Sequence, residues 1–259
     1  MNDESIYQTL RPDLFLIQNG MASAPCLQDR NKIARFFSSS PRWSQKARKS
    51  DLVYYGLKEK IVMSHLGPSE ILGEQQIAAE FDCAQGTVRE ALIRLEHIGL
   101  VVRHDFKGTH VSDMILNEAQ QMVLIRRQLE TVAARHIAQK LSDDVAAALL
   151  VVAEAMYLAA KENRVYLCSE YDRYFHTTLF HASGFWGLEP VLTRCLVHMH
   201  RYTLGSRSKP LNAPSIREQH VGILESIQNG SEEDAARTVE SHISLLVNQW
   251  SPELQEEDA

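Results

Sequence analysis

One stretch of the chain, residues 81–111, carries the most specific pattern in the sequence. Five apolar side chains recur in it at the spacing of one helix face; they are Val88, Ala91, Leu92, Leu95 and Ile98. Gly99 follows them and, because glycine tolerates positive φ, is expected to end the helix. The next residues, LVVR and then THV after Gly108, are typical of a short two-stranded hairpin. The stretch therefore predicts a helix followed directly by a β-ribbon.

The segment before this stretch predicts two further helices. The first has an apolar face made of Val53, Leu57 and Ile61. Gly67-Pro68 is expected to end it, and a short second helix is predicted at residues 74–80. A tight turn at Asp82-Cys83 then leads into the third helix. This order is typical of a winged helix-turn-helix domain, which we place at residues 51–112.

The third helix of such a domain enters the DNA major groove by its N-terminal turn. Arg can pair with guanine and Gln with adenine, and free N–H groups at a helix start favour a phosphate. The polar residues predicted to face DNA are Gln85, Gly86, Thr87, Arg89 and Arg94. The alternative is an ordinary helical segment whose charges only meet solvent, and the pattern alone leaves both interpretations open.

Residues 53–111 resemble the winged-helix domain of the GntR family. The matching pieces are VYYGLKEKI, IAAEF, VREAL at 88–92, GLV at 99–101 and Gly108-Thr109. The resemblance implies a transcriptional regulator that binds double-stranded operator DNA. It also implies that the wing approaches the minor groove through Lys107, Gly108 and His110.

The sequence departs from the family pattern just before VREAL. The family usually has Ser-Arg-Thr-Pro where this chain has Ala84-Gln85-Gly86-Thr87. A serine N-cap and an arginine that commonly contacts DNA are thus replaced, and Gly86 in the first turn costs about 1 kcal/mol against alanine. We expect an operator that differs from the commonest family site, with Arg89 as the main cation at the helix tip.

Composition sets the limits of size and compartment. The chain has 259 residues, 44% of them hydrophobic, which suits two domains with full cores. No run approaches the roughly 18 apolar residues that cross a membrane, and the four scattered cysteines suit a reducing compartment. We expect a cytoplasmic protein without a membrane partner. A net charge of −6 gives the whole chain no electrostatic attraction to DNA, so a DNA-binding surface needs a local cluster of basic groups.

The rest of the chain predicts an all-α bundle. Residues 113–250 carry apolar stripes of helical period and no strand pattern, which indicates six or seven helices. We place helices at 117–140, 143–162, 165–183, 187–205, 215–229 and 232–250. Residues 1–50 are expected to be a mobile extension without sustained periodicity, and residues 251–259 a tail. The predicted fold class is mainly α, with a winged helix-turn-helix followed by a helical bundle.

Four side chains of the bundle suggest a metal site. Asp172 and His176 lie at i and i+4, on one face of the third bundle helix. His220 and His242 lie on the apolar stripes of two successive helices. One carboxylate and three imidazoles facing inward are costly unless paired, and a divalent cation would satisfy all four. The alternative is four unrelated polar residues in the core, because 11 histidines make chance pairs easy to find.

Residues 122–246 resemble the FCD ligand-binding domain found in the FadR branch of the GntR family. The matching pieces are IRRQLE, the D-x3-H pair, H-x3-L with the following NG, and Ala235-Ala236. In metal-binding members of this domain, the corresponding Asp and three His hold the ion. The resemblance therefore implies Zn, Ni, Fe or Mn bound by Asp172, His176, His220 and His242.

An octahedral ion with these four ligands keeps two open positions, which a small carboxylate effector could take. Arg126, at the family position in the R-x2-LE helix, and Arg201 are candidate contacts to the effector oxygens, because Arg pairs well with carboxylates. Arg126 could instead form an intrahelical pair with Glu130.

These features predict a homodimeric repressor of transcription that binds a palindromic operator and responds to an effector in the bundle. Two alternatives stay open. One is a metal-free sensor of a long acyl chain, and the other is a metalloenzyme whose ion activates water. We expect no enzymatic activity, because no spare acid or base stands on a definite motif.

Overall fold

The computed structural model describes residues 48–104, 108–205 and 210–250. Residues 1–47 of the predicted extension, the 251–259 tail and Lys107 of the wing lie outside the described residues. Within the described part, the fold is mainly α with one small sheet, as predicted. None of its helices combines the length and hydropathy needed to cross a bilayer.

The first part of the fold is a winged helix-turn-helix. Its elements are α1 (Lys49–Val62), β1 (Ile71–Leu72), α2 (Glu74–Glu80), α3 (Gln85–His97), β2 (Val101–His104) and β3 (Gly108–Val111). The predicted stripe of α3 forms the centre of the core, since Val88, Ala91, Leu92 and Leu95 are fully buried. This stripe packs against α1, whose apolar face is also buried.

The sheet has one strand more than the sequence predicted. Its order is β1-β3-β2, and both pairs are antiparallel. β1 is only two residues long, so the sequence shows no alternating pattern for it. It forms because the tertiary fold brings Thr109 and His110 of β3 beside it. Gly99 does end α3 with a φ of +76°. In contrast, α1 ends at Val62, before the predicted Gly67-Pro68 break, and Ser64 takes a left-handed φ of 57°.

The second part is a bundle of helices. Its elements are α4 (Leu116–Ile137), α5 (Asp143–Lys161), α6 (Val165–Ala182), a 3-10 turn (Trp186–Leu188), α7 (Glu189–Gly205), α8 (Ala213–Asn229) and α9 (Glu232–Trp250). The six α-helices match the six predicted ones to within a few residues. The alanine-rich face of α5 packs between α6 and α8, and α9 packs along α4. This arrangement turns one face each of α4, α6, α8 and α9 toward a shared interior.

A buried junction joins the two parts. Tyr166, Val197 and Leu204 of the bundle belong to the same apolar cluster as the winged-helix core. The backbone of Gly99 is covered by the guanidinium of Arg194, and a Cβ at this position would lie 2.5 Å from it. The bundle helix α7 therefore lies directly against α1 and the end of α3.

Candidate functional site

The four predicted metal ligands meet in the bundle interior. Asp172 and His176 come from α6, His220 from α8 and His242 from α9, and all four are buried. One donor atom from each lies within 4.8 Å of the others. Zn–N bonds are about 2.0–2.1 Å long, so donors around one ion are roughly 3 to 4 Å apart. The side chains thus have the spacing of a coordination site that tightens slightly around its ion.

The imidazoles point their Nε2 atoms toward one another and toward Asp172. His176 Nε2 lies 3.2 Å from His242 Nε2, and His220 Nε2 lies 3.1 Å from Asp172 Oδ1. His176 Nε2 lies 3.7 Å from Asp172 Oδ1.

Each imidazole has an oxygen beside its other ring nitrogen. His176 Nδ1 lies 2.5 Å from Glu130 Oε2, His220 Nδ1 lies 2.7 Å from the Ile216 carbonyl, and His242 Nδ1 lies 3.1 Å from Gln219 Oε1. An acceptor at Nδ1 favours the tautomer whose proton is on Nδ1, and it leaves the Nε2 lone pair free. Three lone pairs and a carboxylate oxygen then face one point, which is the arrangement that a cation requires.

The second oxygen of Asp172 has its own neighbour. Asp172 Oδ2 lies 3.2 Å from His200 Nε2, and His200 Nδ1 accepts a hydrogen bond of 2.7 Å from Arg173 Nη1. The arginine can only donate, so His200 presents its N–H to the carboxylate. Only Oδ1 of Asp172 is left to face the imidazoles.

The ionisation states fit this geometry. Burial raises the pKa of the Asp172 carboxyl, but the neighbouring imidazoles of His176, His200 and His220 outweigh it and hold this pKa well below its usual range. Burial, together with the neighbouring His220 and His176, lowers the pKa of His242 far below its ordinary value. At neutral pH the cluster therefore combines a carboxylate with an unprotonated His242, as metal ligation needs.

Arg126 lies at the edge of this cluster and is fully buried. The intrahelical pair with Glu130, given above as the alternative to an effector contact, is present: Arg126 Nε lies 2.5 Å from Glu130 Oε1. Its Nη1 is 3.0 Å from Met199 Sδ, while its Nη2 has no hydrogen-bond partner among the described residues. A buried guanidinium N–H without an acceptor is costly, so this atom is a donor available to a ligand.

Arg201 does not lie at the cluster. Its Nη1 donates to Ser112 Oγ at 2.8 Å and its Nη2 donates to the Ser112 carbonyl at 2.7 Å. The guanidinium thus anchors the segment between β3 and α4 to the bundle. The sequence predicts that Arg201 lies on a helix, but it does not predict its contact with Ser112, which is 89 residues away in the chain.

The start of α3 is the exposed end of the winged helix. Gln85 and Gly86 are exposed and Thr87 is half-buried. Ala84 is the N-cap and offers no side-chain hydrogen bond, as expected from the replaced serine. The first backbone N–H groups of α3 are therefore left for solvent or a phosphate.

Two predicted DNA-contacting arginines have different surroundings. Arg89 is 57% exposed and forms a two-pronged pair with Glu74 of α2, at 3.2 Å and 2.7 Å. Arg94 instead faces α1, where Nη1 lies 2.7 Å from Asp51 Oδ1 and the guanidinium covers the ring of Tyr54 at 4.0 Å. Arg89 is thus presented at the tip of the helix, whereas Arg94 also helps to hold α3 against α1.

Two of the predicted wing residues, Gly108 and His110, lie in the described part of the chain. Gly108 is exposed and has a φ of +82°, a conformation that favours glycine. His110 is half-buried, and its ring lies 5.3 Å from that of His104 across the β2-β3 pair. The prediction for Lys107 cannot be followed, since this residue lies outside the described part of the chain.

The partners that orient the ligands were missed by sequence reasoning. Gln219, at the position before His220, and Arg173, at the position after Asp172, had no role assigned. Glu130 was considered only as a partner of Arg126, and His200 had no role assigned. Their positions next to Asp172 and His220 in the sequence could have suggested Arg173 and Gln219, but only packing brings Glu130 and His200 to the cluster.

Comparison with known families agrees with this geometry. Residues 49–111 match the model described as bacterial regulatory proteins, gntR family, and residues 121–245 match the FCD domain. The chain is a transcriptional regulator of the GntR type with an FCD domain. GntR-family regulators bind operator DNA, and this family assignment makes the protein a regulator and not an enzyme.

Curated relatives and solved structures extend over most of the chain. The transcriptional repressor NanR of Enterobacter sp. (strain 638) is 24% identical over 226 residues, covering 78% of this chain and 85% of that protein. The repressor RspR of Escherichia coli (strain K12) is 21% identical and covers 75% of this chain and 85% of its own length. The structure of E. coli McbR/YncC superposes with a TM-score of 0.64 at 19% identity, covering 80% of this chain and all of that one. This last likeness supports the fold.

Proposed function

We propose that this regulator is a homodimeric repressor whose operator affinity is controlled by a small carboxylate bound at a divalent metal ion. Residues 51–112 would contact DNA, and residues 113–250 would hold the ion and the effector. The observation that carries the proposal is the convergence of Asp172, His176, His220 and His242, with donor atoms within 4.8 Å of one another.

A cation resolves a conflict within this cluster. His176 Nε2 and His242 Nε2 are 3.2 Å apart, and the oxygens at their Nδ1 atoms favour a lone pair on both. Two lone pairs that face each other in a buried site repel, and a cation between them turns the repulsion into ligation. Imidazole and carboxylate donors suit Zn, Ni, Fe or Mn, and the ion would supply a Lewis-acidic position for an effector oxygen.

The charges around the cluster favour an anionic effector. Asp172 and Glu130 carry one negative charge each and Arg126 carries one positive charge. A divalent ion therefore leaves one excess positive charge in a buried site, and a carboxylate would neutralise it. The Nη2 of Arg126, which has no hydrogen-bond partner within the described part of the chain, would supply a donor for the same group.

The relatives and the exposed helix tip support a repressor. NanR and RspR are both named repressors. In this chain the exposed start of α3 and the exposed Arg89 leave donors for base edges and phosphates. A symmetric dimer would place two such helix tips on a palindromic operator, with half-sites about one helical turn apart.

Metal content and effector response can be tested together. We expect purified protein to hold close to one equivalent of metal per chain. Its thermal midpoint should rise with a small carboxylic acid in excess, since a ligand at a hundred times its dissociation constant adds about 2.7 kcal/mol. The double variant His220→Ala/His242→Ala should lose both metal and response, whereas His136→Ala, which removes an exposed histidine of α4, should keep both.

Two results would contradict the proposal. Full metal content in the double variant would remove these histidines from the ligand set. A midpoint that rises equally with and without chelator would favour the metal-free acyl sensor, particularly if long-chain acids gave the larger shift.

A further inference from the structure

A continuous line of polar side chains runs from the metal-ligand cluster to the winged helix. His200 Nε2 lies 3.2 Å from Asp172 Oδ2, and Arg173 Nη1 donates to His200 Nδ1 at 2.7 Å. Arg173 also forms an ion pair with Glu170 one turn earlier on α6. Glu170 in turn accepts from Lys58 Nζ of α1, with oxygens at 3.0 Å and 3.2 Å. We call these five residues, Asp172, His200, Arg173, Glu170 and Lys58, the polar bridge.

The polar bridge is buried along its whole length. Its side chains are between 3% and 13% exposed, with Lys58 at 8%. Removing one partner of a buried ion pair leaves the other charge unpaired and is strongly destabilising. The position of α1 against α6 is therefore tied to the position of Glu170, and through Arg173 and His200 to that of the Asp172 carboxylate.

Two other polar contacts of the junction, both between described residues, do not involve the proposed metal ligands. His198 Nε2 donates to the Ile98 carbonyl at 3.1 Å, and Arg201 binds Ser112. Both hold the two parts together, but neither is hydrogen-bonded to Asp172 or to the three histidines. Among the described contacts, the polar bridge is thus the one that connects the junction to the cluster.

We propose that the polar bridge couples occupancy of the metal site to the docking of α1. This inference rests on the proposed function, because it takes Asp172 as a metal ligand. An ion at Oδ1 fixes the carboxylate, which fixes His200 at Oδ2 and so the Arg173–Glu170 pair that binds Lys58. Coupling of this kind is reciprocal, so an intact Lys58 contact must also strengthen metal binding.

Reciprocity gives a test that needs neither the operator nor the effector. Zn²⁺ affinity is measured by competition with a chromophoric chelator for the full-length wild type and for Lys58→Met. We expect the variant to bind Zn²⁺ at least about fivefold more weakly, the lower end of typical coupling. Lys58→Arg, which keeps the charge and the donors, should recover most of the affinity. The matched control is Lys60→Met, since Lys60 lies on the same helix but pairs with Glu80 inside the winged helix.

Hydrogen exchange separates coupling from a general loss of stability. Zn²⁺ should slow exchange of the α1 amides, residues 49–62, in the wild type and in Lys60→Met but not in Lys58→Met. If Lys58→Met does not fold, Glu170→Gln removes the same ion pair at nearly constant volume and is expected to behave in the same way.

The outcomes are distinguishable. A wild type that binds none of Zn²⁺, Ni²⁺, Fe²⁺ and Mn²⁺ overturns both the proposed function and this inference. Wild-type binding with an unchanged affinity in folded Lys58→Met overturns the inference alone, and so does an equal loss in Lys60→Met.

Discussion

The start of α3 and the buried cluster of Asp172, His176, His220 and His242 both gather polar side chains, but they hold them differently. At the helix tip, Arg89 is 57% exposed, and its pair with Glu74 lowers the pKa of that carboxyl. In the cluster, Asp172 and the three histidines are buried, and each has a second contact that fixes its orientation. Exposed ion pairs contribute little and exchange readily, whereas buried polar groups must be satisfied together. Arg89 can therefore exchange its partner readily, while the buried cluster keeps one arrangement.

The largest expected effect is a loss of stability in acid that comes from His198, a buried histidine of the junction. Burial lowers the pKa of His198 to about 4, opposed by its hydrogen bond to Ile98, against about 6.5 in an unfolded chain. The unfolded state then binds more protons, so the stabilisation is complete above about pH 6.5 and is lost as the pH falls toward 4. Between pH 7 and 5, His198 alone should cost about 2 kcal/mol of unfolding free energy.

Urea unfolding of chelator-treated protein at several pH values measures this cost. His200 and His242 have lowered pKa values as well, and burial is the main cause in each, so every variant will lose stability in acid. His198→Gln should lose about 2 kcal/mol less than the wild type. His97→Gln, at an exposed position, should follow the wild type. Equal slopes in the wild type and His198→Gln would mean that His198 can be protonated in place.

An intermediate effect tests the exposed side of the comparison. Arg89→Ala should weaken operator binding by roughly tenfold, since a good bidentate base contact is worth about 1–3 kcal/mol. Binding is measured by fluorescence anisotropy on duplexes that the wild type selects from a random-sequence library. Arg135→Ala, which removes an exposed cation of the bundle, controls for net charge. Unchanged affinity in Arg89→Ala would make its pair with Glu74 a purely structural contact.

The smallest expected effect is on the unfolding free energy, and it comes from substitutions at the helix N-caps of the two regions. Ala84 has the backbone geometry of an N-cap but no side-chain acceptor, whereas Ser142 at the start of α5 accepts from the Val145 N–H. Ala84→Ser should raise the unfolding free energy by about 0.5–1 kcal/mol, and Ser142→Ala should lower it by a similar amount. Thermal unfolding followed by circular dichroism measures both. If Ala84→Ser lowered the unfolding free energy instead, the lack of a hydroxyl at position 84 would not be what limits the stability of the start of α3.

Local periodicity was enough to predict most of the helices and the inward positions of the four candidate ligands. The stripe of α3 is buried as predicted, and Asp172 and His176 share a face because i and i+4 are neighbours on any helix. His220 and His242 were placed inward because they continue apolar stripes, and both are buried. The resemblance to known families then supplied the expectation of a metal, which stays a prediction here.

What the sequence determined by itself is therefore what depends on residues a few positions apart: the helices, their buried stripes and the shared face of Asp172 and His176 on α6. Only the tertiary structure decided the contacts between distant segments. The two-residue β1 acquires its pairing from β3, Arg201 is taken up by Ser112, and Glu130 and His200 reach the ligands from other helices. Lys58 meets Glu170 across 112 residues because α1 packs against the bundle. No periodicity encodes such a meeting, since it depends on how whole faces pack.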